Sequence, residues 1–308
     1  MKLARLTLSV LLLAGIGAGC GSDSDSDTAA DTDSSTAAAC PTEPVSVVVT
    51  VDQWGDIVEQ LGGECAEVTT VIKGSSADPH DYEPTPADTA EFGDGQLVVL
   101  NGVDYDPWAE KAIATLDREP VVVDGGKVVG LEEGDNPHIW YSPADVREIA
   151  AAVTDELKKL APDAADYFDA QLSTWGTSMK PYDDEIAKIK AAAQGKTYAA
   201  SEPVFDYMAD AVGLTSATPQ GYQNAALNET DPSPADIAEF EQSLNDGTID
   251  VLVYNTQTEG PTPEQLRRVA EDAGVPVVEV TETVPPGTSS FVTWQVDQLK
   301  SLATALGV

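Results

Sequence analysis

The sequence predicts an α/β protein of two lobes, each a mostly parallel sheet covered by helices, joined by a long connecting helix. Three observations predict it. Short apolar runs alternate with helical patterns in both halves of the chain, the alternation expected of a parallel sheet buried under crossover helices. Between the two series, residues 162–194 carry one helical stripe with no turn signal until Gly195. The chain's 308 residues, 42% of them hydrophobic, can supply about two cores at roughly 150 residues per domain.

The order of elements starts with an export signal over residues 1–20. Lys2 and Arg5 precede an apolar run over residues 6–16, too short to span a bilayer as a mature helix. The run ends in Gly17-Ala18-Gly19-Cys20, which resembles a bacterial lipobox, with Gly17 where leucine is usual. Cys20 would then carry lipid and become the mature N-terminus, anchoring the protein at the extracytoplasmic face of a membrane. An ordinary cleaved secretory peptide is the alternative. Residues 21–39 contain only Gly, Ser, Asp, Thr and Ala, so they bury too little to offset their ordering entropy and form a tether reaching to residue 40.

The first lobe is expected over residues 41–161. Its strands are 45–51, 68–72, 97–100 and 121–123, and its helices 54–61, 86–92 and 107–116. A further helix opens at Ser142-Pro143, with Ser142 as N-cap and Val146, Ala150, Val153, Leu157 and Leu160 on one face. Cys40 precedes the first strand and Cys65 follows the first helix. In a strand-helix-strand unit both points share one sheet edge, so a disulfide is expected in a non-reducing compartment, with two buried thiols as the alternative.

Residues 162–194 follow as the connector. Phe168, Leu172, Trp175, Met179, Tyr182, Ile186, Ile189 and Ala193 hold one stripe, and 32 helical residues would extend roughly 48 Å. Pro181 should kink or split this helix, and two consecutive core helices are the competing reading. The second lobe, residues 195–308, repeats the alternation. Strands are expected at 196–200, 214–217, 249–254 and 277–280, and helices at 204–212, 234–244, 263–273 and 291–306, with Gly213, Gly247 and Gly274 placed as C-caps.

Charge excludes one class of function. With 53 acidic against 16 basic residues and a net charge of -37, the chain lacks the cations that nucleic-acid phosphates require. The chemistry instead points to metal. The two histidines of the whole chain, His80 and His138, each follow a proline turn, Asp78-Pro79-His80 and Asn136-Pro137-His138. Ser201-Glu202 and Thr281-Glu282 directly follow strands of the second lobe, where ligands of open parallel sheets bind.

On the motifs Pro79-His80-Asp81-Tyr82-Glu83-Pro84-Thr85-Pro86, Asn136-Pro137-His138-Ile139-Trp140, Ser201-Glu202-Pro203-Val204-Phe205-Asp206-Tyr207 and Glu279-Val280-Thr281-Glu282, the chain resembles the metal-binding solute-binding proteins of bacterial ABC importers for zinc and manganese, also called surface adhesins. The resemblance implies metal ligands at His80, His138, Glu202 and Glu282. Glu202 stands where zinc members usually have histidine and looks like the manganese or iron branch. Glu282 stands where aspartate is common, and Asn255 and Glu259 are its competitors for that role. The resemblance also implies a monomer serving an ABC permease and its ATPase.

Two imidazoles and two carboxylates suit Zn2+ or Mn2+, and residue types alone do not choose between them. Ligands from both lobes would place the ion between them, and the long connector would limit motion on loading to small tilts. Neutral imidazole is the ligand, so affinity should fall below pH about 6.5. A secreted metalloenzyme is the rival class, with Asp81 or Glu83 as base. It lacks an H-E-x-x-H helix, and four protein ligands would leave no open position. A metal chaperone or adhesin would use the same site with another partner. Trp108, Trp140 and Trp294 read as packing residues, and Asp104-Tyr105-Asp106 as a turn.

Overall fold

Five valines fill β1 (Val45–Val51), and none is more than 3% exposed. A strand buried on both faces belongs in the middle of a parallel sheet, and β-branched side chains suit the pleat. The computed structural model describes residues 39–74, 79–80, 82–228, 230–258 and 260–308. Cys20, the export signal, nearly all of the 21–40 tether, Asp78, Asp81 and Glu259 lie outside the described residues.

The first lobe continues through α1 (Asp52–Gly62), β2 (Ala66–Ile72), α2 (Pro86–Asp94), β3 (Leu97–Leu100), α3 (Pro107–Ile113), β4 (Val121–Asp124), α4 (Gly125–Val129) and α5 (Pro143–Leu160). Its strands pair in parallel in the order β2-β1-β3-β4. Ser142 caps α5 by accepting from the Asp145 amide, with Pro143 at the first turn. Cys40 and Cys65 are joined by a disulfide with Cα atoms 5.0 Å apart and a separation of 25 in sequence. A closed loop of that size contributes about 3 kcal/mol on chain entropy.

The expected single connecting helix is two. α6 (Ala165–Ser178) and α7 (Lys180–Ala192) meet at Met179. Pro181 explains the break: it has no N–H to offer the Thr177 carbonyl, and it is accepted in the first turn of a new helix. α6 packs on α1 and α5 of the first lobe, and α7 on the last helix of the second.

That second lobe comprises β5 (Thr197–Ala200), α8 (Asp206–Ala211), β6 (Thr215–Ser216), α9 (Gln220–Leu227), α10 (Pro234–Asn245), β7 (Val251–Asn255), α11 (Pro261–Ala273), β8 (Val277–Val280) and α12 (Phe291–Leu306). The order β6-β5-β7-β8 is again parallel throughout. The helix expected at 204–212 begins instead as the 3-10 turn Pro203–Phe205. The strand expected at 214–217 shortens to two exposed residues. α4 and α9 were not expected: α4 is five residues long with two glycines, and α9 buries only Tyr222, so neither shows an apolar stripe.

One apolar core runs through both lobes. It passes from the first sheet through Phe168, Trp175, Tyr182 and Ile189 to Phe291 and Trp294, and takes in Tyr198, Ala200, Val251 and Val253 of the second sheet. Their strand neighbours Ala199 and Leu252 point the other way, into a smaller core with Phe240, Leu244 and Leu266. Alternation along a strand thus assigns one face of the second sheet to the shared core.

Candidate metal centre

Both histidines are set by residues that contact their loops. Trp108 donates its indole N–H to the Pro79 carbonyl at 3.0 Å, and its ring meets Tyr82 edge-on with centroids 4.8 Å apart. The His80 ring stands edge-on to Tyr105, 4.7 Å away. At the other loop, Asn136 Oδ1 accepts the His138 amide at 3.0 Å and lies 2.6 Å from His138 Nδ1. The Asn136 amide group is oriented by its own donation to the Pro203 carbonyl at 2.7 Å. Its oxygen can only accept, so Nδ1 carries the proton and Nε2 presents a lone pair. Burial lowers His138 to about 4, keeping the ring neutral at ordinary pH.

Glu282, just beyond β8, meets both rings. Its Oε1 lies 3.7 Å from His80 Nε2 and 3.9 Å from His138 Nε2. Ligand atoms of His80, His138 and Glu282 all lie within 4.8 Å of one another. Tyr105 donates its hydroxyl to the same Oε1 at 2.9 Å and accepts from Gln53 Nε2 at 2.8 Å. Burial pushes the Glu282 carboxyl up, but the His80 ring, the charges of His138 and His80, and the Tyr105 hydroxyl outweigh it and hold the group at about 2. The His138 contribution is consistent with a ring that titrates near 4, since the ring is charged at the pH where Glu282 takes its proton.

The Glu282 backbone is held equally well. Gln257 Oε1 accepts the amides of Glu282 and Thr283 at 2.6 and 2.8 Å. From the first lobe, Gln53 donates to the Glu282 carbonyl at 3.1 Å, Tyr141 donates to the Thr281 carbonyl at 2.7 Å, and Asp52 accepts the Val284 amide at 3.4 Å.

Tyr105 reaches the site from a strained loop. After β3, Gly102, Val103 and Asp104 have φ of 76°, 56° and 59°, a left-handed run that is costly for a β-branched residue. The loop is clamped by Asp106, which accepts from the Asn101 and Gly102 amides at 2.8 and 2.9 Å and from the Thr50 hydroxyl at 2.5 Å. Complete burial raises Asp106 to about 6, so the clamp carries a desolvation cost.

Of the four expected ligands, three therefore converge. Glu202 lines the same cleft, of about 980 Å³, but stays outside the close group. Its Oε2 accepts from Asn255 Nδ2 at 2.7 Å, and burial raises its pKa. Asn255, a competitor on sequence grounds, sits between the two glutamates, with Nδ2 3.5 Å from Glu282 Oε2. Gln53 and Gln257 were not singled out by sequence, Asn136 entered only as part of the His138 motif, and Tyr105 only as part of a turn. Only the Asn101-Gly102 pair after a strand hinted that the Tyr105 loop is special. Trp108 and Trp294 do more than pack, since each also donates to a site loop, Trp294 to Thr281 Oγ1 at 2.9 Å.

Fold and site together define a two-lobed α/β binding protein with a cluster of metal-ligand type at the carboxyl ends of its strands. Residues 47–305 match the family described as ZnuA, zinc-uptake complex component A periplasmic, and the chain belongs to that family, one of metal-uptake binding proteins rather than enzymes. Among curated relatives, it is 23% identical over 286 residues to the zinc-binding lipoprotein AdcA of Streptococcus pneumoniae, covering 84% of this chain and 55% of that protein. The chain thus spans about half the length of that relative. It is 24% identical to the manganese-binding lipoprotein MntA of Halalkalibacterium halodurans over 82% of this chain and 74% of MntA. Among solved structures, FpvC of Pseudomonas aeruginosa with Ni2+ superposes with a TM-score of 0.71 at 20% identity, over 86% of this chain and 97% of FpvC. The laminin-binding adhesin Lmb of Streptococcus agalactiae gives 0.71 at 21% identity, over 85% and 99%. No helix among the described residues is long and apolar enough to cross a membrane.

Proposed function

We propose that the protein captures a divalent first-row cation, zinc or manganese, through His80, His138 and Glu282, with Glu202 completing the set, and delivers it as cargo to an ABC permease and its ATPase. The observation that carries this reading is the convergence of two imidazoles and a carboxylate within 4.8 Å. Neutral nitrogen donors with an ionised carboxylate suit such a cation, and relatives named for zinc and for manganese support both metals. In this reading Cys20 anchors a monomer at the membrane, residues 21–40 tether it, and residues 162–194 connect lobes 41–161 and 195–308.

Calorimetric titration of zinc and manganese into wild type and His138→Ala tests the site. The wild type should bind one ion, and the variant should lose more than about 100-fold in affinity; unchanged binding in the variant would overturn the assignment. Cross-lobe bonds and a shared core favour small tilts on loading. X-ray scattering of metal-free and loaded protein should show nearly equal radii of gyration, and a change of several ångströms would count against it.

A further inference from the structure

The main chain on either side of Glu202 is clamped. Ser201 gives its amide to the Val253 carbonyl at 3.0 Å, its carbonyl accepts the Tyr222 hydroxyl at 3.1 Å, and its own hydroxyl oxygen accepts the Asn255 amide at 3.2 Å. Beyond Glu202, the Pro203 carbonyl is held by Asn136 of the first lobe. What can turn is the Glu202 side chain.

Asn255, which that side chain meets, is fixed more completely. It ends β7 in register with Val280, it is buried, and its Oδ1 accepts the Gln257 amide at 3.1 Å. With the oxygen end so occupied, the amide nitrogen faces the acids, 2.7 Å from Glu202 Oε2 and 3.5 Å from Glu282 Oε2. Gln257 also holds the Glu282 backbone amide, so one residue sets the spacing between the Asn255 amide group and the second acid. No lysine or arginine is among the described residues lining the cleft, and the amide group stands between the two carboxylates where a cation would otherwise be needed.

We infer that Asn255 is a positioning residue that holds Glu202 outside the cluster in metal-free protein and is exchanged for the cation on loading, so that it weakens binding instead of supporting it. The inference rests on the metal-binding reading above. Glu202 lies outside the close group of His80, His138 and Glu282, and a carboxylate oxygen must come within about 2.0–2.2 Å of an ion such as zinc to ligate it. With the main chain clamped, that approach is a rotation of the Glu202 side chain away from an amide that is pinned and cannot follow. The bond given up is charge-assisted, stronger than one between neutral groups. Its loss is subtracted from the affinity for every ion that draws Glu202 in.

Zinc ion affinity measured by chelator competition in wild type, Asn255→Ala and Asn255→Ser tests this. Serine is too short to reach Glu202 but keeps a hydroxyl that can accept the Gln257 amide, so it serves if the alanine variant does not fold. Both variants should bind zinc ion about tenfold more tightly than wild type, and their metal-free forms should unfold at lower urea concentration. In a Glu202→Ala background the same substitutions should leave zinc affinity unchanged to within about twofold. A residue that merely braced the strand would weaken binding in both backgrounds alike. Weaker or equal zinc binding by the folded variants, or an equal gain in the Glu202→Ala background, overturns the inference and leaves the metal-binding reading intact. Failure of the wild type to bind zinc overturns that reading itself.

Discussion

Glu202 and Glu282 are the same residue type in one cleft, both largely buried, yet their acidities move in opposite directions. Burial raises both. Glu282 faces two imidazoles and a phenol hydroxyl, and these reverse the effect; Glu202 has a hydrogen bond from the neutral Asn255 amide, which does not. Their mechanical settings also differ. The Glu282 segment belongs by sequence to the second lobe but is fastened to the first through Gln53, Asp52 and Tyr141. Glu282 is therefore an ionised donor already set against the histidines, whereas Glu202 must leave Asn255 to join them.

The sharpest way to break this contrast is to neutralise each carboxylate in turn. Glu282→Gln should lower metal affinity about 100-fold and Glu202→Gln only about tenfold, measured by calorimetry with the preferred ion. Equal losses would mean that the two positions are equivalent and that the asymmetry has no consequence for binding.

A smaller effect is expected from Tyr105→Phe, which removes the hydroxyl holding Oε1 and leaves Gln53 without that acceptor. Loss of such a supporting hydrogen bond should weaken binding about tenfold, with global stability falling by about 1 kcal/mol. An affinity within twofold of wild type would assign the orientation of Glu282 to its backbone contacts alone.

Proton competition sharpens the comparison most gently. His138 in the folded protein titrates near 4, below its unfolded value of about 6.5, so its neutral form contributes stability that is present above about 6.5 and lost as pH falls toward 4. Glu282, held near 2, contributes stability present above its unfolded pKa and lost only as pH falls through about 2. Buried Asp106, raised to about 6, acts with the opposite sign over much of that window, so the check is a difference: in urea unfolding of metal-free protein, wild type should lose stability relative to His138→Gln as pH falls from about 6.5 to about 4. The same shift corrects the sequence expectation for this ligand: His138 stays free of protons well below 6.5, so a steep affinity loss at 6.5 would have to arise elsewhere in the site.

Much of this was legible in the residues. β1, β3 and α12 fall at their expected bounds because valine and leucine runs and the Ser290 to Gly307 frame leave few alternatives. His80 and His138 stood out as the full histidine complement in matching proline turns, and Glu202 and Glu282 as acids directly after strands. Tyr105 was read as part of a turn because its role depends on a left-handed backbone run and on a partner 177 residues away in sequence. Asn136 and Gln53 escaped for a related reason: beside local bonds to His138 and Tyr105, each makes one that exists only once the two lobes meet, to the Pro203 and Glu282 carbonyls.

The disulfide has a mechanical consequence. It fastens Cys40, which precedes the start of β1 at Val45 by five positions, to Cys65. A tug on the chain upstream of Cys40 is therefore shared between the start of β1 at Val45 and the start of β2 at Ala66, which are partners in one ladder. Under load the two strands cannot be drawn apart at that end, because the covalent link spans the point where their pairing begins.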